Sequence, residues 1–119
     1  MKIVQIVDAR PSLQKLATQE LSIKTLYEVS KLLDKLDEEL VFYNKQRDKI
    51  LEKHCDIEGN QYKPREAEIE QLNAKMQELL EMEIGYEVKE VAISINEDVK
   101  LSYNDLVQLR GFVKIVGED

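Results

Sequence analysis

Residues 23–53 read IKTLYEVSKLLDKLDEELVFYNKQRDKILEK, and the spacing of their apolar side chains decides the fold. Leu26, Val29, Leu33, Leu36, Leu40 and Tyr43 recur at intervals of 3, 4, 3, 4 and 3. Arg47, Ile50 and His54 continue the same register. That heptad seam is the pattern of a helix packed along its length on other helices. Neither Gly nor Pro interrupts residues 12–58, and the Ser22 hydroxyl can accept a hydrogen bond from an unpaired amide of the first turn. A helix is predicted over 23–53.

Outward from this helix, residues 56–64, DIEGNQYKP, form a break. Gly59-Asn60 can supply a turn and Pro64 can precede a helix. A second helix is predicted over 65–83, with Ile69, Leu72, Met76 and Leu79 as its seam and Leu80 broadening the stripe. Gly85 ends it. Residues 86–95, YEVKEVAISI, alternate as a strand whose phase flips near Lys89-Glu90. Ser102 with Asp105 three residues on is a short-armed capping box, so a short helix is predicted over 103–110. Gly111 can cap it before a strand over 112–116, although Leu106, Leu109, Val113 and Val116 also keep helical spacing. At the other end, residues 2–7, KIVQIV, are β-branched and predict a strand, with Pro11 opening a short helix over 12–18. The expected architecture is a single α+β domain over residues 1–119. It comprises a long antiparallel helical hairpin, a small antiparallel sheet formed by the 2–7 and 86–95 strands, and a short C-terminal helix.

The two predicted helices differ in length by about 12 residues, or ~18 Å at the helical rise. The seam nevertheless continues through Leu26, Val29, Leu33 and Leu36, and a second apolar set, Ile23, Tyr27, Leu32, Val41 and Phe42, lies off it. One hairpin cannot cover both sets, and large exposed apolar patches are uncommon. A homo-oligomer, dimer or larger, is therefore expected, with Leu26, Val29, Leu33 and Leu36 in its interface.

Composition excludes several functions. The chain has 119 residues, with 17 Lys plus Arg against 24 Asp plus Glu, a formal net charge of −7. General nucleic-acid binding is not expected from such a balance. No apolar run reaches the ~20 residues of a bilayer-spanning helix, so no membrane role is expected. The start, Met1-Lys2-Ile3-Val4, lacks signal-peptide anatomy, and the lone Cys55 suits a reducing compartment; a cytoplasmic location is expected. His54 and Cys55 do not supply a zinc spacing, and no metal or other cofactor is expected. Nucleophile-elbow, phosphate-loop and dinucleotide motifs are absent, so the chain does not read as an enzyme. Arg47 is the unusual seam residue. Its guanidinium either pairs with Glu68 or Glu70 of the second helix or faces a cleft and binds an anion, with Tyr43 as a stacking surface. Arg10, Arg65 and Arg110 could join such a site if the fold gathers them.

The order of a strand, LSIKTLYEVSKLLDKLDEEL (21–40), FYNKQRDKILEKH (42–54), a Gly59 break, EIGYEVKEVAISI (83–95) and LSYNDLVQL (101–109) resembles a family of small proteins encoded by phages and prophages of Gram-positive bacteria. The spacing of Tyr43, Arg47, Lys53 and Gly59 carries the resemblance. The family, whose function is not established, offers no catalytic residues to carry over. The resemblance implies an accessory protein of the host-cell cytoplasm that works by stoichiometric binding. Such a protein would inhibit host defence, by blocking a host protein or sequestering an anionic nucleotide signal. Alternatively, it would serve as an adaptor or chaperone in phage assembly.

Overall fold

The computed structural model describes residues 1–117. Its spine is one helix, Ile23–His54, of 32 residues. At 1.5 Å per residue that is ~48 Å, most of the 59 Å length of the molecule. The elements in chain order are α1 (Ile3–Ala17), α2 (Ile23–His54), β1 (Cys55–Glu58), β2 (Gln61–Pro64), a 3-10 turn at Glu66–Glu68, α3 (Ile69–Leu80), β3 (Val91–Ser94), α4 (Tyr103–Gln108) and β4 (Val113–Val116). The fold is α+β, with a long helix, a small two-stranded antiparallel sheet and a short C-terminal helix. Ser22 caps α2 as expected, its Oγ accepting from the Thr25 N–H at 3.3 Å.

The N-terminal segment is a helix, which corrects the strand expected over 2–7. Ile3, Ile6, Ala9, Leu13 and Leu16 all lie in the core, and their spacings of 3, 3, 4 and 3 are helical. Local β-branched composition favours a strand only weakly, and burial of a helical face against α2 overrides it. Pro11 lies inside α1 rather than at its start and is solvent-exposed. It removes one hydrogen-bond donor but takes nothing from the buried face.

This first helix also resolves the length mismatch. α1 and α3 lie end to end along α2, and α1 packs on its N-terminal half. The chain on either side of their junction is stitched by main-chain bonds: Ile3 N–H donates to Met82 O and Ile84 N–H to Met1 O, each at 2.9 Å. The amino terminus meets Glu83 at 2.8 Å, and Lys2 meets Glu81 at 2.5 Å. Val29, Leu33 and Leu36 are consequently buried within one chain, and Leu26 is half-buried. They do not form the oligomer interface expected of them, because α1 covers them. The premise for self-association through that seam falls away.

The second helix is shorter than the expected 65–83. It opens with the 3-10 turn, and the chain leaves helical geometry after Leu80 to make the stitch with the N-terminus. The 86–95 segment pairs only over Val91–Ser94, so the phase flip at Lys89-Glu90 marks the start of β3. Strand 2–7 is absent, so the antiparallel pairing expected beside 86–95 does not form. β3 instead pairs in parallel with β4, Val91 opposite Val113 and Ile93 opposite Ile115. A parallel pair needs a long crossover, and α4 lies within it. The antiparallel sheet is β1 with β2, at the far end of α2.

Asp105 joins α4 to α1. Its carboxylate accepts from the Lys15 ammonium at 2.6 Å, the Ser12 hydroxyl at 2.8 Å and the Ser102 N–H at 3.0 Å. Lys15 first, then the Ser102 amide and the Ser12 hydroxyl, hold the carboxyl well below the ordinary carboxylate range. The Arg10 guanidinium similarly lowers Asp37, and the amino terminus lowers Glu83. Each carboxyl is a stronger acid folded than unfolded. Its contribution is full above roughly pH 4.5 and is lost as the pH falls below the ordinary carboxylate values.

Two outcomes follow from these contacts. Replacing Pro11 with Ala gives the Val7 carbonyl a helical donor and is expected to raise unfolding stability by about 1–3 kcal/mol, after the unfolded-chain entropy that proline removes is subtracted. The urea midpoint of the wild type is expected to hold from pH 8 to 5.5 and to fall below pH 4. Asp105→Asn lowers the plateau and shallows the acid limb; an unchanged acid limb would show that the α1–α4 contact contributes nothing.

Candidate functional site

The arginines expected to gather at Tyr43 are dispersed. Arg10 forms a two-pronged pair with Asp37, Nε to Oδ1 at 2.6 Å and Nη2 to Oδ2 at 3.0 Å, joining α1 to α2. Arg47 stands ten residues further along α2, ~15 Å by the helical rise. It lies over the Tyr43 ring, 5.7 Å from the centroid, and contacts Asp48 of its own helix at 3.2 Å. It pairs with neither Glu68 nor Glu70. Tyr43 itself is buried. Arg65 belongs to the root of the β1–β2 hairpin, and exposed Arg110 follows α4. Three of the four guanidiniums have carboxylate partners within the chain, so the five residues do not converge on one anion.

A different feature stands out at the end of α2. β1 and β2 form an antiparallel arm with Ile57 opposite Tyr62 and Asp56 opposite Lys63. The connection is two residues, Gly59-Asn60, with φ of +60° at Gly59 and none positive at Asn60. That is a type II′ turn, in which glycine supplies the left-handed first position and the twist matches the strands. Alternation gives the arm two unlike faces. Asp56, Glu58, Gln61 and Lys63 lie on one, with Lys63 bridging Glu58 at 2.5 Å. Cys55, Ile57, Tyr62 and Pro64 lie on the other. Only Cys55, at the root, is buried; Ile57 is 64% and Tyr62 37% exposed.

The root is held by charge. His54 is buried, and its Nδ1 lies 3.2 Å from Glu68 Oε1. Arg65 Nε meets the other oxygen of Glu68 at 2.5 Å, and its Nη2 donates to the Lys53 carbonyl. Arg65 N–H donates to His54 O at 3.1 Å, extending the ladder by one rung. The imidazole is thus turned to a carboxylate from the segment preceding α3. Among the described residues no Lys or Arg of α2 pairs with a glutamate of α3.

Of the second apolar set, Leu32 is buried, whereas Ile23, Tyr27, Val41 and Phe42 are exposed. Tyr27 and Val41 are 14 residues apart, ~21 Å along α2, with Lys31, Asp34, Lys35 and Glu38 between them. They make two small patches rather than one stripe. An open cleft of about 500 Å3 lies where α2 passes residues 86–91. Its charged residues, Glu28, Lys31, Lys35, Glu87, Lys89 and Glu90, balance in sign. Among the described residues no three His, Cys, Asp or Glu side chains are grouped to hold a metal ion. No described helix is long and apolar enough to cross a membrane.

The arm residues Ile57 and Tyr62 were hidden in a segment read as a break. The signal was present: Gly-Asn flanked by Asp-Ile-Glu and Gln-Tyr-Lys alternates in apolar and polar character on both sides, the pattern of a two-residue hairpin. Comparison with protein-family models, with curated proteins and with solved structures gives no significant match, so functional inference rests on this chain's own geometry.

Glu68 is the keystone of the arm's root. Glu68→Gln is expected to leave the global denaturation midpoint nearly unchanged, because partly exposed pairs contribute ~0.2–1 kcal/mol. The amides of residues 55–64 are expected to exchange faster with deuterium. Unchanged exchange there would show that the strands hold the arm without the charge cluster.

Proposed function

We propose that the protein is a non-catalytic, phage-type accessory protein that acts by stoichiometric binding to another protein, a host component. The observation that carries this reading is the amphipathic arm. An isolated two-stranded hairpin is marginal in water, yet this one projects its apolar face outward from a charge-fixed root. A tyrosine beside an aliphatic residue is suited to the centre of a protein contact, where aromatic anchors concentrate binding energy. The net charge of −7 adds long-range attraction toward a basic partner surface.

Blocking of a protein fits these features better than sequestration of a nucleotide. Tight phosphate recognition calls for converging cations, and Arg10, Arg47 and Arg65 already have carboxylate partners in different parts of the fold.

The test is affinity purification of tagged protein from the cells that produce it, for the wild type and the Ile57→Ser/Tyr62→Ser double variant. The wild type is expected to retain one partner at near-equal stoichiometry. The variant is expected to melt as the wild type does and to lose that partner more than tenfold. Equal retention by the variant would overturn the role of the arm. A virion component as the retained partner would replace the host-directed reading with the assembly one.

A further inference from the structure

At the opposite end of α2 a small pocket opens between β3, β4 and α4. Its volume is about 180 Å3, and its walls include Ile93, Val99, Leu101, Leu106 and Ile115. Ligand sites for drug-sized molecules occupy roughly 300–1,000 Å3, so this one has room for a single side chain. One acidic residue, Glu97, lines it, and no basic residue does.

The Glu97 carboxylate is held in place but half satisfied. Its Oε1 accepts from the Ser22 N–H at 2.7 Å, at the start of α2. The loop around it is pinned by Gln19, which donates to Lys100 O and accepts from Lys100 N–H, both at 2.6 Å. Glu97 Oε2 is buried and has no donor among the described residues. A buried carboxylate oxygen without a protein donor is costly, and a cation in the pocket, met by a small turn of the Glu97 side chain, would relieve that cost.

The sheet beside the pocket is also unfinished. Among the described residues it has two strands, so β4 has one neighbour there. Val91 N–H donates to Phe112 O at 2.9 Å and Ile95 N–H to Val116 O at 2.8 Å. The even-numbered residues of β4 therefore face β3, and the backbone groups of Ile115 face the open edge. Ile115 is half exposed, and its side chain lines the pocket on the same sheet face as Ile93.

We propose that this pocket receives a lysine side chain carried by an extended segment of a partner protein that adds to the free edge of β4. Strand addition supplies main-chain hydrogen bonds, and alternate side chains of the added segment fall on the Ile93–Ile115 face. An aliphatic stem against Val99, Leu101 and Leu106 with an ammonium at Glu97 matches an apolar pocket that holds one carboxylate. Lysine fits better than arginine because its head is compact and its stem is four carbons long. The surface is distinct from the β1–β2 arm, from which the length of α2 separates it.

The probe is a randomised heptapeptide library panned on the immobilised whole protein. Enrichment of lysine at least tenfold over arginine and neutral residues, between β-branched positions, is expected. The selected peptide, resynthesised with norleucine for lysine, is expected to bind at least tenfold more weakly. In the labelled protein it is expected to shift the amides of residues 93–95 and 113–116. Glu97→Gln retains an acceptor for Ser22 and is expected to lose the lysine preference. Ile115→Arg, at a half-exposed position, is expected to abolish binding with an unchanged melting curve. A library yielding no peptide, or none with a basic residue, overturns the proposal. So does equal binding of the norleucine peptide, an unchanged preference in Glu97→Gln, or shifts confined to residues 55–64. Should either variant fail to fold, the norleucine comparison on the wild type decides alone.

Discussion

The rest of the structure depends on covering one apolar stripe of a helix about 48 Å long. α2 presents Val29, Leu33, Leu36, Leu40 and Tyr43 along a single side, and all five are buried. A partner helix of the same length would have done this in one piece. The chain uses two shorter ones, α1 of 15 residues and α3 of 12, placed end to end. Their junction is the weak point of such an arrangement, because helix ends leave amides and carbonyls unpaired. The Lys2–Glu83 bridge, with its two flanking main-chain bonds and two ion pairs, satisfies groups at that point. Met1 thereby takes part in the stitch: its nitrogen meets Glu83, and its carbonyl accepts a hydrogen bond from Ile84 N–H.

Covering the stripe with a split partner leaves both ends of α2 to other elements. At the C-terminal end the chain turns straight from His54 into β1 and returns through β2 to Arg65. The turn is placed by Gly59 and the root by Glu68. At the N-terminal end, the β3–α4–β4 unit packs beside α1, with Asp105 tying α4 to Ser12 and Lys15. Phe112, Leu109, Val91 and Ile93 bring this unit into the common core. The protein is thus a rod whose centre is closed and whose two ends carry unsaturated β structure.

Much of this was legible in the sequence, and the errors share a cause. The long helix was predicted to end at 53 and ends at His54, because a sustained 3,4 spacing identifies a helix without knowledge of its partner. The Ser102–Asp105 capping box and the terminal strand were local signals that the fold kept. Residues 2–7 failed because Ile3, Val4, Ile6 and Val7 satisfy a strand's composition and a helix's spacing together. Six residues are too few to separate the periods, and Pro11 obscured the continuation to Leu13 and Leu16. The interface residues failed by inheritance: with the N-terminal segment read as a strand, no further long helix remained to cover Leu26 to Leu36, and a second copy became the expected cover. The arginine site failed for another reason. Arg10 takes Asp37, 27 residues away, a pairing that depends on tertiary placement and that spacing along the chain does not encode. Arg65 takes Glu68 three residues on and Arg47 takes the adjacent Asp48, local carboxylates legible in the sequence that outweigh a gathered site.

The two exposed β elements differ in a way that bears on what each can touch. The β1–β2 arm places charges on its polar face, Asp56, Glu58 and Lys63, with Arg65 just beyond it. Charged side chains on an exposed hairpin oppose strand addition by another chain. Its apolar residues, Ile57 and Tyr62, are directly opposite one another, so contact with the arm is made across its face. β4 reads Val-Lys-Ile-Val, with one charge among three apolar residues and an edge with no strand beside it. That composition leaves edge addition open, and the adjoining pocket with its half-paired carboxylate restricts which segments gain by it. On the proposed docking, a basic extended segment would be attracted by the protein's net negative charge and answered locally by Glu97. An apolar segment would gain the edge but leave Oε2 without a donor. Under the two proposals, selectivity at this end of the rod would come from a polar atom the fold leaves unsatisfied, whereas contact at the other end would rest on apolar area that the fold leaves uncovered.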